Sequence, residues 1–372
     1  MEFWKGPMGE LSFNADPSPW FKGRRVFVTG HTGFTGAWLC HWLLTAGAQV
    51  HGYALAPPTD QDLNLFANSG LNDRMVSVIG DIRDRNALNA AMAEAEPEVV
   101  FHLAAQALVR LSTRKPEETY ETNVIGTLNV LRAAQAAGAA YAVNITSDKA
   151  YENNEWVWGY RENDRLGGHD IYSSSKSCAD ILARAFWLSF CQEDGAMRLA
   201  TCRAGNVIGG GDWAEDRLVA DIARAYRRGE TVVIRRPEAV RPWQHILECV
   251  RGYLRAATAL ADGRLNGGAV NFGPGPENAA PVGELTRRMF AAFGDGKLKL
   301  EICPESSTVH EANLLRLDIT RARVELGWSP VLDFAETVDM TARFYKSLIV
   351  APGRARDLLE ADIAAYSAKL GT

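Results

Sequence analysis

Val26-Phe-Val-Thr29-Gly30-His-Thr-Gly33-Phe-Thr-Gly36 is the stretch on which the fold turns. Val26–Thr29 is a short β-branched run that breaks into glycines at intervals of three. Phe34–Gly47 then repeats bulky apolar residues at helical spacing, with Trp38, Leu39, Trp42 and Leu43 in its middle. The reading is a strand, a tight turn and a helix opening. Gly30 permits the turn, Gly33 lets backbone approach a pyrophosphate, and Gly36 allows close packing of helix on strand. A bare Gly-x-x-Gly-x-x-Gly is common; one that follows the first strand of a βαβ unit is specific. Gly30, Thr32, Gly33, Phe34 and Gly36 are therefore candidate cofactor-binding residues.

Working outward, Val50–Leu55, Val76–Ile79, Val99–Leu103 and Ala142–Ile145 are further short apolar runs bounded by Gly, Asp or Pro. Helical segments separate them, including Arg83–Ala95 and Pro116–Ala137; Pro116, Glu117 and Glu118 suit a first turn, and Gly138 suits an end. This alternation predicts an α/β protein: a Rossmann-type parallel sheet with helices on both faces. Beyond Arg203 the pattern loosens into Gly- and Pro-rich loops, short strands and the helical stretches Leu218–Arg228, Val282–Phe293 and Phe334–Leu348. That predicts a smaller mixed α/β substrate domain built from separate segments. The expected division is 22–205 with 245–272 for the dinucleotide-binding half, 206–244 with 273–348 for the substrate half, and terminal extensions at 1–21 and 349–372.

The second strand ends Gly52-Tyr53-Ala54-Leu55-Ala56-Pro57, with neither an acid for a ribose 2′-hydroxyl nor a cation for a 2′-phosphate. NAD and NADP both stay open on that feature. Asp81, after the third strand, is placed to accept from an adenine amino group; an acid there equally suits a helix N-terminus.

Composition excludes several classes of function. The chain has 372 residues, 47% hydrophobic and 23% charged, with a net charge of −5. Mild acidity without a basic stripe argues against nucleic acid as partner. No run approaches the roughly 18–20 apolar residues of a membrane span. The first residues carry acids and prolines and no apolar signal core, so a cytoplasmic protein is expected. Cys40, Cys178, Cys191, Cys202, Cys249 and Cys303 are scattered without a Cys-x-x-Cys pair, as buried thiols of a reducing compartment are. His31, His41, His51 and His102 lack metal-ligand spacing, so no metal is expected.

The reacting centre is read from Tyr172-Ser-Ser-Ser-Lys176, whose ends share one helical face. A phenol titrates near pH 10, and a neighbouring ammonium lowers it toward working pH. Ser147, in Thr146-Ser147-Asp148-Lys149 at the end of the fifth strand, supplies a hydroxyl to polarise the same substrate oxygen. Together they make a dehydrogenase-like centre. Asn206 after the sixth strand is a candidate for a substrate phosphate, and Arg241 in a Pro-bounded loop for the pyrophosphate, which a guanidinium holds with two parallel donors. Trp156, Trp158 and Trp213 read as core residues rather than substrate platforms.

These residues resemble the extended short-chain dehydrogenases/reductases, in the branch that modifies nucleotide sugars. The resemblance runs from Val26 to Asn271 and takes in His102-Leu103-Ala104-Ala105-Gln106, Asn123-Val-Ile-Gly126-Thr127 and Arg203-Ala-Gly-Asn206. Longer blocks are similar to the CDP-glucose 4,6-dehydratase family: Ser147-Asp148-Lys149-Ala150-Tyr151, Asn154-Glu-Trp-Val-Trp-Gly-Tyr-Arg-Glu162, Gly209-Gly-Gly-Asp-Trp213 and Arg241-Pro-Trp-Gln-His245. The resemblance implies NAD as cofactor, held also by Asp81, Ile82, Leu103, Ala104, Ala105, Tyr172 and Lys176. It implies Gln106 and Asn123 at the substrate, CDP-glucose, and a homodimer through an intersubunit four-helix bundle. In the implied reaction Tyr172 takes the proton of the carbon 4 hydroxyl and NAD takes the hydride. A base removes the carbon 5 hydrogen, an acid protonates the leaving hydroxyl of carbon 6, and the hydride returns to carbon 6. Asp148 is the expected acid. Lys149 stands where the dTDP-glucose enzymes carry glutamate and is the expected base; orienting the substrate is its alternative role. A nucleotide-sugar 4-epimerase and a non-catalytic dinucleotide-binding protein are the competing readings. Two departures stand out: Thr35 where the family usually has lysine, and Asp180 where glutamate is common, a change expected to touch packing only.

Overall fold

The computed structural model describes residues 13–58, 63–234, 236–275, 278–294, 299–302 and 314–371. Cys303 and the first twelve residues lie outside the described residues. Seven parallel strands form one sheet: β1 (Arg25–Thr29), β2 (Gln49–Ala54), β3 (Val76–Ile79), β4 (Val99–His102), β5 (Tyr141–Ile145), β6 (Arg198–Ala204) and β7 (Ala269–Phe272), in the order β7-β6-β5-β4-β1-β2-β3. The order reverses between β1 and β4, where ligands of doubly wound sheets bind. Strand side chains alternate between two cores, as a two-residue period requires. Val26, Val28, Val99 and Phe101 face one core; Phe27 and Val100 face the other.

The second core is covered by α2 (Arg85–Ala95), α3 (Pro116–Ala136) and α4 (Ile171–Phe190) through Leu88, Met92, Val130, Leu131, Ala183 and Phe186. Asp84 caps α2, accepting from Asn86 and Ala87 N–H. The long helix expected from Pro116 is interrupted: Glu121–Ile125 widens to π geometry before Gly126–Ala136 continues. It ends before Gly138, whose φ of +74° is the left-handed conformation that glycine adopts freely.

The first core is covered by α1 (Phe34–Thr45) and by the helix Ile246–Ala261. It runs without a break into the half of the chain beyond β6. Trp38 of α1 lies 5.3 Å from Phe344 and donates to Gly210 O at 3.1 Å. The strand pairs of that half, such as Thr231–Ile234 with Lys299–Ile302, stay outside the large sheet. Trp213 is buried against Tyr345, and Trp156 stacks on Tyr160, whereas Trp158 is exposed. The helix Ala355–Ser367 returns to its own chain, placing Tyr366 against Trp42.

Candidate active site

β1 leads into the glycine turn at the reversal of strand order. Gly30 has φ +78°, and a Cβ there would stand 2.8 Å from Ala104 N. A Cβ on Gly36 would stand 2.1 Å from Gly30 O, so no side chain fits between turn and helix. At Gly33 a Cβ would meet only Gly30 O, at 3.4 Å, and would otherwise fill the mouth of the turn. No side chain caps α1 and its first turn holds no acid, which suits a bound pyrophosphate. Thr32 ties the turn to β2 by donating to Leu55 O at 2.9 Å. His31 is buried against Ser77 Oγ at 2.7 Å, and burial lowers it to about 4, so it is neutral. The residues present thus fit a dinucleotide on shape and charge.

Asp81 and Ile82 follow β3. Asp81 does not cap α2; it accepts from Arg83 N and Nε at 2.9 Å and from Nη2 at 2.6 Å, and these bonds hold its carboxyl below the usual range. Ile82 is buried, its side chain filling the space a Cβ on Gly126 would need. Beyond β4, the N–H groups of Leu103 and Ala104 donate to Thr29 Oγ1 at 3.1 and 3.2 Å, which brings them over the turn, with Ala105 half-buried beside them.

The other wall is the corner between β5 and α4. Ser147 Oγ donates to Asp148 Oδ1 at 3.0 Å, accepts from Lys149 N at 3.2 Å and is hydrogen-bonded to the Tyr172 hydroxyl. Asp148 Oδ2 accepts from Asn206 Nδ2 at 3.3 Å. A Cβ on Gly205 would meet that carboxylate at 1.8 Å, so the glycine makes room for it. Burial raises the Asp148 carboxyl, against the nearby charges of Lys149 and Arg241. Lys149 is half-buried and lines a cavity of 50 Å³ with Asp148, Asp170 and Ser173. Lys176 is buried, donates to Ile145 O at 3.2 Å and is lowered by burial to about 8.

The structure adds contacts and charges that the spacing did not reveal at five of the candidate residues. Burial raises the Tyr172 phenol, and the cation that opposes it is Arg217, not Lys176. Asn123, in the π segment, is fully engaged: its amide accepts from Gln106 N at 2.8 Å and donates to Gln106 O at 3.0 Å and Ser175 Oγ at 2.8 Å. Gln106 in turn donates to Leu108 O and accepts from Leu108 N. These two side chains shape the loop after β4. Asn206, with φ +51°, meets the Asp148 carboxylate, and Arg241 lies on the strand Val240–Pro242, its charge felt at Asp148.

Sequence reasoning missed Arg217. It precedes the helix Leu218–Arg228 and donates to Ala107 O at 3.3 Å, crossing from the chain beyond β6 to the loop after β4. A lone arginine in a loop carries no spacing signal. A separate cavity of 560 Å³, between α4 and β7, contains none of the predicted site residues. Among the described residues no group of His, Cys, Asp or Glu is placed to hold a metal ion.

A serine at the end of β5 hydrogen-bonded to the tyrosine of a Tyr-x-x-x-Lys helix, across from a glycine turn, is the arrangement of an extended short-chain dehydrogenase/reductase. The family model described as GDP-mannose 4,6 dehydratase matches residues 27–341. The chain belongs to that family. A CDP-glucose 4,6-dehydratase of Salmonella typhimurium is 48% identical over 345 residues, covering 91% of this chain and 94% of the relative. A dTDP-glucose 4,6-dehydratase of Streptomyces antibioticus is 28% identical over 330 residues, covering 86% and 92%. Among solved structures, the dTDP-glucose 4,6-dehydratase of Streptomyces venezuelae with NAD and TYD bound superposes with a TM-score of 0.73 at 24% identity, over 87% of this chain and 97% of that one.

Proposed function

We propose that this protein dehydrates CDP-D-glucose to CDP-4-dehydro-6-deoxy-D-glucose, using NAD, in deoxysugar synthesis. The observation that carries dehydration over epimerisation is Asp148: a buried carboxyl, raised by its burial, bonded to the serine that faces Tyr172. An epimerase needs no acid there. A carboxyl whose burial favours its protonated form is suited to hand a proton to the departing carbon 6 hydroxyl. The choice of CDP-glucose follows the relative that is 48% identical across nearly the whole of both chains.

When bound, NAD would be held at the glycine turn with Asp81, Ile82 and the backbone of Leu103–Ala105, and would supply an acceptor for the carbon 4 hydrogen and a donor toward carbon 6. Everything else falls to this chain's side chains. Ser147 and Tyr172 meet the carbon 4 oxygen, Ser147 orienting it and Tyr172 receiving its proton. Lys176, one turn along the same helix from Tyr172, is fixed to Ile145 O. Lys149 removes the carbon 5 proton and Asp148 delivers one to the carbon 6 oxygen. Arg241 and Asn206 meet the pyrophosphate side of the substrate.

The protein works in the cytoplasm as a homodimer. Ile181, Leu188 and Phe190 on α4, and Ile125 on α3, are exposed apolar residues on neighbouring helices, a face that a second copy would cover. A monomer in sedimentation at micromolar concentration would remove that part of the reading. No helix among the described residues is long and apolar enough to cross a membrane.

The deciding assay incubates the enzyme with CDP-, dTDP-, GDP- and UDP-glucose and weighs the products. Loss of one water from CDP-glucose is expected. Unchanged mass with a new stereocentre would replace dehydration by epimerisation, and dehydration of another sugar nucleotide would move the base specificity.

A further inference from the structure

Behind Tyr172 and Lys176, α4 carries a third polar residue on the same face: Asp180, one turn beyond the lysine and 3% exposed. Its carboxylate is gripped from two strands. Arg203 of β6 donates through Nη2 to Oδ1 and through Nε to Oδ2, both at 2.7 Å. Thr146, at the end of β5, donates to Oδ2 at 3.1 Å. Arg203 is itself fixed, donating to the Tyr151 hydroxyl at 2.7 Å and to Glu162 O at 3.0 Å.

The strand end is therefore bolted to α4 twice in succession. Lys176 reaches Ile145 O, and Asp180 takes Thr146 Oγ1. The next three residues are Ser147, Asp148 and Lys149. A packing substitution would not need a bidentate arginine on a buried carboxylate, where an isolated ion is unfavourable unless paired.

We propose that Asp180 is a positioning residue of the active site: clamped by Arg203 and Thr146, one helical turn beyond Lys176, it locks the strand end bearing Ser147 to the helix bearing Tyr172. The charged surroundings of Lys176 are few. Tyr172 and Asp180 share its helix, His102 at the end of β4 stays neutral at about 3, Asp148 lies past the end of β5, and Arg203 on β6 is committed to Asp180. Burial lowers Lys176, and Asp180 is the group that opposes the fall. Removing the carboxylate leaves the ammonium less stable, so the lysine loses its proton at a lower pH.

The inference rests on the proposed role of Lys176 and Ser147, but its main readout does not. Lysine is labelled with ¹³C at Cε, and Lys176 is assigned by the signal lost in Lys176→Met. Its titration midpoint is followed in the protein without substrate. Asp180→Asn should lower that midpoint by about one pH unit, and Asp180→Glu should hold it within about 0.3 unit. In turnover, the alkaline limb of kcat should fall in step, with KM for the nucleotide sugar within about twofold of the original. Asp180→Asn leaves Arg203 buried without its partner; where that variant fails to fold, Asp180→Asn/Arg203→Gln removes the clamp with both its charges, and its loss of kcat at unchanged KM is read instead. A folded Asp180→Asn variant with an unmoved Lys176 midpoint, or a folded double variant with unchanged kcat, overturns the proposal. Absence of turnover on every nucleotide sugar would strike the functional reading and leave the midpoint to decide this one.

Discussion

The turn between β1 and α1 carries no ionised side chain from Gly30 to Gly36, and its one titratable group, His31, is neutral. The corner formed by β5, β6 and α4 buries Asp148, Lys176, Asp180 and Arg203. The two regions are built by opposite means. The turn works through missing atoms: at Gly36 and Gly30 there is no room for a Cβ, and at Gly33 its absence leaves the mouth open. The corner works through charges taken out of water, each held by a specific partner, because a low-dielectric site magnifies whatever is left unpaired. A shape-based site fails by steric intrusion. A charge-based site fails by loss of a proton or a counter-ion.

Removing a proton carrier from the corner should have the largest effect. Tyr172→Phe keeps the ring and its packing but removes the group that receives the carbon 4 proton. Product formation should fall by about 10⁴, the upper end for lost acid–base catalysis, with the protein still folded by circular dichroism. A loss below tenfold would mean that the corner does not act through this proton.

Lys149→Met should come next, slowing product formation by about 10²–10³. Ser147, Tyr172 and Lys176 remain, so carbon 4 chemistry survives while elimination stalls. In deuterated water, the original enzyme should introduce deuterium at carbon 5 and the variant should not. Normal turnover with deuterium still entering carbon 5 would place the base elsewhere.

The turn is tested by a pair of substitutions. Gly36→Ala puts a methyl group against Gly30 O and should cost about 2 kcal/mol, read as a lower melting temperature and weaker NAD binding together. Gly33→Ala should change stability by less than about 0.5 kcal/mol, since only one contact at 3.4 Å awaits it. Its NAD affinity, followed by tryptophan fluorescence, should nevertheless fall by about tenfold, near 1.4 kcal/mol, if the open mouth is where the pyrophosphate sits. Equal losses of stability in the two variants would break the distinction between a packed glycine and a cradle glycine.

The smallest effect asks whether burial alone shifts a carboxyl, as at Asp148 but away from chemistry. Asp362, in the C-terminal helix, is raised by burial to about 6, against its pairing with Arg343. A raised carboxyl favours the folded state fully below its unfolded value near 3.8, and that contribution is lost as pH rises through about 6. Asp362→Asn should therefore raise the melting temperature at pH 8 by an amount worth about 1–2 kcal/mol and leave it unchanged near pH 4. The half-exposed Arg343 end of the pair is worth little in water. Stabilisation independent of pH would show that something other than the charge was at work.

The sequence alone determined the glycine turn, the alternation of strand and helix up to β6, and the identities of Ser147, Tyr172 and Lys176. Those features are local: they follow from periods of two and 3.6 residues, from turns only glycine can make, and from a four-residue spacing on one helix. The tertiary structure alone decided which groups meet. It turned the amides of Gln106 and Asn123 onto the backbone and onto Ser175, because the π segment brings that helix against the loop after β4. It joined Asn206 to Asp148 and carried Arg217 across from the chain beyond β6, between residues far apart in the chain. It also gave the phenol of Tyr172 a raised value where the neighbouring lysine suggested a lowered one, because desolvation in a buried corner outweighs the nearby cation. Asp180 shows the division most plainly. In the sequence it is one carboxylate on a helix; in the fold it is the point where β5, β6 and α4 are held together, since only packing brings Thr146 and Arg203 to the same two oxygens.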